Sequence, residues 1–214
     1  MKTAMILAAG LGSRLRPLTD DCPKPLIEVG GKPLIDYHLQ RLAKLGFSEA
    51  VINVSYLAEK IIAHVGQGER FGLNIQYSIE DDGPLGLMGG VRQARPLLGE
   101  DPFLLLSADI WFAGELPDAL LADSEIACLS LVDNPRSEGL FAVDAGILLS
   151  RSGVLRDYGG FSRLLPAHFD LPADSYAALI DCLIEKQQIQ GCELSGDWFN
   201  VGTLEELEAA RQAV

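Results

Sequence analysis

The sequence lacks any apolar run approaching the ~18 residues that a bilayer core demands. Its first apolar stretch, just after Lys2, is broken by Arg14 and Arg16 with no cleavage-like site before them. That stretch therefore reads as a first strand and not as a leader. No Cys-x-x-Cys pair occurs among Cys22, Cys128, Cys182 and Cys192, which argues against a disulfide framework or a zinc site and fits a reducing cytoplasm. Positive charge is also short. A net charge of −13 argues against nucleic-acid and anionic-membrane partners. Internal repeats and low-complexity segments are missing as well.

What remains is a chain of 214 residues, 48% hydrophobic and 22% charged, which is enough apolar content for one ordinary domain and too little charge for disorder. Its charges are unevenly spread. Residues 1–44 hold seven Lys and Arg against four Asp and Glu, while the rest of the chain holds ten against twenty-six. A local cationic site inside an acidic exterior suits an anionic ligand, although a solvated basic helix face accounts for part of the asymmetry.

Taken in order, Thr3 to Ala8 does not alternate and reads as a strand buried on both faces. Leu34, Ile35, His38, Leu39, Leu42 and Leu45 repeat at helical spacing after Pro33 and stop at Gly46. Residues 50–54 form a second strand, and Ser55 is placed to cap a helix carrying Leu57, Ile61, Ile62 and Val65. Residues 73–79 alternate as a strand. Gly83 to Gly90 turns into a helix expected to end near Pro96, and residues 103–106 are another buried strand. This order implies parallel strands with right-handed crossovers: an α/β, three-layer, Rossmann-like sheet. The second half is less regular. Strands are expected at 126–132, 146–149 and 191–194, with an amphipathic helix at 173–187 and a capping box at Thr203-x-x-Glu206.

The chemistry concentrates in residues 5–26. Met5-Ile-Leu7 breaks into Ala8, Ala9 and Gly10, followed by Gly12, Arg14, Arg16 and Lys24. A buried strand ending in glycines lets backbone N–H groups approach a phosphate, and nearby cations neutralise it. A P-loop is excluded because Ser13-Arg14 does not supply Gly-Lys-Ser/Thr. The dinucleotide fingerprint is excluded because Leu15 stands where its third glycine belongs. The plain alternative is a strand-to-helix turn with solvated arginines.

Leu7-Ala-Ala-Gly-x-Gly-x-Arg14-Leu-x-Pro17-x-Thr19, followed by Pro23-Lys24-Pro25-Leu26, resembles the signature of sugar-1-phosphate nucleotidyltransferases, the NDP-sugar pyrophosphorylases. Val51-Ile-Asn53, Arg70-Phe-Gly-Leu73 and Val132-Asp-Asn-Pro135 are similar to the short bacterial uridylyltransferases acting on N-acetylmuramate 1-phosphate. The resemblance implies the nucleotidyltransferase, GT-A-like version of the fold. Residues 1–214 would form one domain, with a nucleotide-binding half at 1–110 and a shortened sugar-binding half at 111–214. It also implies two substrates, a nucleoside triphosphate (UTP by this likeness) and a sugar 1-phosphate, joined with loss of pyrophosphate. A guanylyltransferase for mannose or another hexose 1-phosphate is one alternative. A degenerate homologue that binds nucleotide without turnover is another. The expected assembly is a monomer or homodimer.

Arg14 and Lys24 are implied to be catalytic, pairing with the triphosphate at the reacting phosphate; Arg16 does equally well pointing outward. Leu7, Ala8, Ala9, Gly10, Gly12, Glu80, Pro84, Leu85 and Gly86 are implied to join them around the nucleotide. Leu87 and Met88 stand where the family has smaller residues. Asp109, at the end of the 103–106 strand, corresponds to a Mg²⁺ ligand, and a carboxylate on that sheet edge is well placed for one. The second ligand position, within Trp198-Phe-Asn-Val-Gly-Thr203, holds Asn200 where relatives carry aspartate. On the sugar side Gly146 is implied as a contact, and the stretch 134–146 is expected to be shorter than in relatives.

Overall fold

A computed structural model describes residues 3–144, 148–151 and 153–214. Its first half is β1 (Thr3–Leu7), α1 (Leu18–Asp21), β2 (Glu28–Val29), β3 (Lys32–Pro33), α2 (Leu34–Lys44), β4 (Glu49–Val54), α3 (Ala58–Val65), β5 (Asn74–Ile79), α4 (Gly86–Leu98) and β6 (Phe103–Ser107). The second is β7 (Ile110–Phe112), α5 (Asp118–Leu121), β8 (Ala127–Val132), β9 (Ala142–Asp144), β10 (Leu148–Ser150), β11 (Asp157–Leu164), α6 (Tyr176–Glu185), β12 (Ile189–Glu193), β13 (Trp198–Asn200) and α7 (Leu204–Gln212).

Nine strands form one sheet in the order β5-β4-β1-β6-β11-β8-β12-β10-β9. All are parallel except β11, antiparallel to both neighbours, and β10. The sheet is mostly parallel, as expected, and it continues across residue 110 without a break. Successive residues of β1 serve opposite faces: Ala4 and Ile6 join the core under α2 and α3, while Met5 joins the core under α4 and α6. Two packed faces explain why these strands lack alternation. Burying Met5 or Ile6 fully contributes roughly 1.5–3 kcal/mol each.

The topology places a site. From β1 the chain moves outward through β4 to β5, and α4 then carries it back to β6 on the other flank of β1. Ligands in open α/β sheets bind beyond the carboxyl ends of strands where the order reverses, here β1 and β6.

Three local expectations need correction. Ser55 does not cap α3: its hydroxyl donates to the Glu80 carbonyl (2.9 Å), and the helix starts at Ala58 after a left-handed Leu57 (φ 51°). Helix α4 runs through Pro96 to Leu98, because Val91, Ala94 and Leu98 dock on the sheet and carry it past one missing N–H. Helix α6 begins at Tyr176 and not at Ala173, since Ser175 Oγ accepts the Ala178 N–H at 3.2 Å and fixes the start. Thr203 caps α7 as expected, its Oγ1 accepting the Glu206 N–H, while the Glu206 carboxylate closes back on the Gly202 N–H and not on that of Thr203. Strand β11, which the pattern did not announce, separates β6 from β8. Its Arg163 is wholly buried and donates to the carbonyls of Ile126, Ala119 and Ala122.

Candidate active site

A cleft of about 560 Å³ opens beyond the ends of β1 and β6. Its near rim is the loop after β1. Gly12 takes a left-handed turn (φ 63°), and a Cβ there would stand 2.9 Å from Thr19 Cγ2, while Thr19 Oγ1 donates to the Gly12 carbonyl at 2.9 Å. Behind it the short turn Ser13–Leu15 is anchored by fully buried Leu15, which leaves Arg14 facing out into the cleft. The N–H groups of Ala9, Gly10, Leu11 and Gly12 make no hydrogen bond among the described residues. They are donors available to an anion.

The floor carries charge. Lys24 lies on a turn between Pro23 and Pro25, and its Nζ donates to Asp109 Oδ2 at 2.6 Å. Its side chain is only 12% exposed, so it is not a loosely solvated lysine. Asp109 follows β6, where the Ala108 N–H donates to the Leu7 carbonyl (3.1 Å) and ties the ends of β6 and β1 together. Arg14 has no ion pair among the described residues, and its guanidinium packs against Gly202. Arg16 instead pairs with Asp20 at 3.2 Å on the surface and does not reach the cleft.

The far wall comes from Gly202, just after β13, and from the loop before α4. β13 pairs antiparallel with β7, setting Asn200 opposite Ile110, and the Val201 N–H donates to the Asp109 carbonyl at 2.9 Å. Asn200 Oδ1 is buried and has no hydrogen-bond partner among the described residues. The buried, unpartnered amide oxygen of Asn200 is a hard donor of the kind Mg²⁺ accepts, and Asp109 carries another just before the neighbouring strand β7.

A family model for nucleotidyl transferases matches residues 3–130. The chain belongs to that family. It is 40% identical to an N-acetylmuramate alpha-1-phosphate uridylyltransferase of Neisseria meningitidis serogroup B, with 97% of this chain and 96% of that one covered. A protein of the same description from Caulobacter vibrioides is 43% identical over 72% of this chain and 67% of its own length. Among solved structures, a Bacillus anthracis chain, provisionally a glucose-1-phosphate thymidylyltransferase, overlays with a TM-score of 0.86. It is 20% identical and the overlay covers 98% of this chain and 94% of that one, a likeness of fold.

Within this nucleotidyl transferase the cleft gathers Leu7, Ala8, Ala9, Gly10, Gly12, Arg14, Lys24, Pro84, Gly86 and Asp109. Three expected residues do not line it. Leu85 is nearly half exposed to one side, Asn200 keeps its amide oxygen buried, and Glu80 is buried beneath the rim. Gly146 falls outside the described residues. Asn53, Ser107, Ala108 and Gly202 line the cleft without having been anticipated. Asn53 closes an apolar strand, and only its hydrogen bonds mark it out. Leu87 also lines the wall, whereas Met88 packs into the core below.

Proposed function

We propose that the chain is a sugar-1-phosphate uridylyltransferase, taking UTP and N-acetylmuramate 1-phosphate to a UDP-sugar and pyrophosphate. The observation that carries this reading is the meeting of Arg14, Lys24, Asp109 and free loop N–H groups at one switch-point cleft. The choice of UTP and of the sugar rests on the uridylyltransferases to which the chain is similar.

In the reaction an oxygen of the sugar 1-phosphate attacks the α-phosphorus, and the bond to pyrophosphate breaks in line. Two anions must meet, so the barrier is largely electrostatic and positional. Arg14 offers a planar fork to phosphate oxygens, and Lys24 a compact charge close to the end of β6. The N–H groups of residues 9–12 offer the triphosphate further donors in the same cleft as both cations. Asp109 and Asn200 would hold Mg²⁺, which when bound supplies positive charge to the phosphates. A cytoplasmic location belongs to this reading, and among the described residues all four cysteines are free. No helix of the described residues is long and apolar enough to cross a membrane.

Asn200 favours one second reading, a homologue that holds nucleotide without turning it over, since an amide brings no charge to a divalent site. Pyrophosphate release, measured across UTP, GTP, CTP and dTTP with a panel of sugar 1-phosphates, separates the two. Release with UTP and N-acetylmuramate 1-phosphate is expected. Fastest release with GTP and a hexose 1-phosphate would replace the assignment with a guanylyltransferase. Binding without release in any combination would favour the silent homologue.

A further inference from the structure

Beneath the cleft two buried polar side chains form a continuous bridge. Asn53, 3% exposed at the end of β4, accepts the Ala8 N–H through Oδ1 at 2.9 Å. Its Nδ2 donates to Glu80 Oε1 at 2.7 Å. Glu80, 2% exposed, accepts the Leu85 N–H through its other oxygen, Oε2, at 2.7 Å. Ala8 begins the loop with the free N–H groups, and Leu85 sits between Pro84 and Gly86 on the opposite rim. The orientation of the amide is forced, because a backbone N–H only donates and a carboxylate only accepts. Gly90 belongs to the same device: a Cβ there would stand 2.8 Å from both Asn53 Nδ2 and Glu80 Oε1.

We propose that Asn53 and Glu80 are positioning residues that set the distance between the phosphate-holding rim and the base-holding rim of the cleft. Glu80 acts through the backbone of Leu85 and does not itself touch the nucleotide. Both its oxygens are spent inside the protein, and water does not compete for buried hydrogen bonds of this kind. A ligand gripped by both rims feels the bridge, and a ligand gripped by one does not. This inference rests on the nucleotide-transfer reading above and names how that site is held open to the right width.

The bridge can be reversed without changing its length or charge. Glu80→Gln alone sets an NH₂ group against a donor, and Asn53→Asp alone sets two carboxylates together. In the double variant, the carboxylate at position 53 accepts from the Ala8 N–H and from the new side-chain amide at position 80. The oxygen of that amide accepts the Leu85 N–H, so all three contacts return. Calorimetry with UTP and with inorganic triphosphate, alongside thermal melting, reads the result. Each single variant should bind UTP about tenfold more weakly, the ~1.4 kcal/mol of one buried hydrogen bond, and bind inorganic triphosphate as the wild type does. The double variant should recover UTP affinity.

Should a single variant fail to fold, Gly90→Ala, which presses on the same pair, is expected to give the same selective loss. A double variant that melts like the wild type yet binds UTP as weakly as Glu80→Gln would show that the carboxylate touches the nucleotide, overturning the proposal alone. Equal loss for UTP and triphosphate would mean a merely structural bridge and overturn it too. A wild type that binds neither ligand would overturn the nucleotide reading together with this one.

Discussion

Lys24 Nζ lies 2.6 Å from Asp109 Oδ2, joining a turn locked by two prolines to the end of the central strand β6, 85 residues further along. The lysine side chain is 12% exposed and that of the aspartate 34%, and both residues line the cleft. Removing either partner changes what an arriving triphosphate meets.

Arg14→Ala should weaken triphosphate binding by roughly 1.5–3 kcal/mol, the usual worth of a charged hydrogen bond. Lys24→Ala should cost more, because it also leaves Asp109 unpaired and repelling the phosphates. Calorimetric titration with UTP reads both. Affinity and turnover unchanged in both variants would remove the basis of the functional assignment.

Asn200→Asp should lower the Mg²⁺ concentration needed for half-maximal turnover and raise the rate. It adds charge beside Asp109 at nearly constant volume. A wild type already fast at low Mg²⁺ would show that the second carboxylate is unnecessary. A folded variant that binds nucleotide but transfers to no sugar 1-phosphate would move the defect to the 134–146 side.

Stability should fall as acid is added below neutrality. His38 is 2% exposed, and burial, helped by nearby Arg41, pushes its pKa down to about 3; burial takes His168 to about 4. Both lie below the unfolded value near 6.5, so between about pH 6.5 and 4 the unfolded chain binds more protons than the native one. Stability in that window rises with pH, by up to ~1.4 kcal/mol per pH unit for each histidine. Urea unfolding from pH 7 to pH 5 should show this slope, and His38→Leu should flatten it. An unchanged slope in that variant would contradict the account.

Arg163→Leu should destabilise the chain by ~3 kcal/mol or more, since it strands the carbonyls of Ile126, Ala119 and Ala122 in the interior. Denaturant unfolding that shows a loss below about 1 kcal/mol would mean those carbonyls find water.

Much of this was legible in the residues. Unalternating apolar runs at β1 and β6 announced a doubly covered sheet, and the glycines and cations after β1 marked the loop that lines the cleft. What stayed hidden were long-range polar partnerships. β11 carries Gly159, Gly160 and the buried Arg163, so neither propensity nor pattern marks it as a central strand. Asn53 reads as an ordinary strand end, and Glu80 as a nucleotide contact by resemblance, until Ala8 and Leu85 are brought to them. Cys128 and Cys192, 64 residues apart and in no motif, meet with their sulfurs 3.6 Å apart across β8 and β12. Ser55 has the right chemistry for a cap and spends it on Glu80 instead.

β13 is the antiparallel partner of β7, and the residues just after it reach Asp109 and Arg14. A ribosome adding roughly 5–20 residues per second therefore lays down the rim, the lysine and Asp109 several seconds before Asn200 exists. During that interval β1 already has both its neighbours, β4 and β6, and the loop N–H groups face an open mouth. The cleft is completed late in the life of the molecule, with the arrival of its last wall.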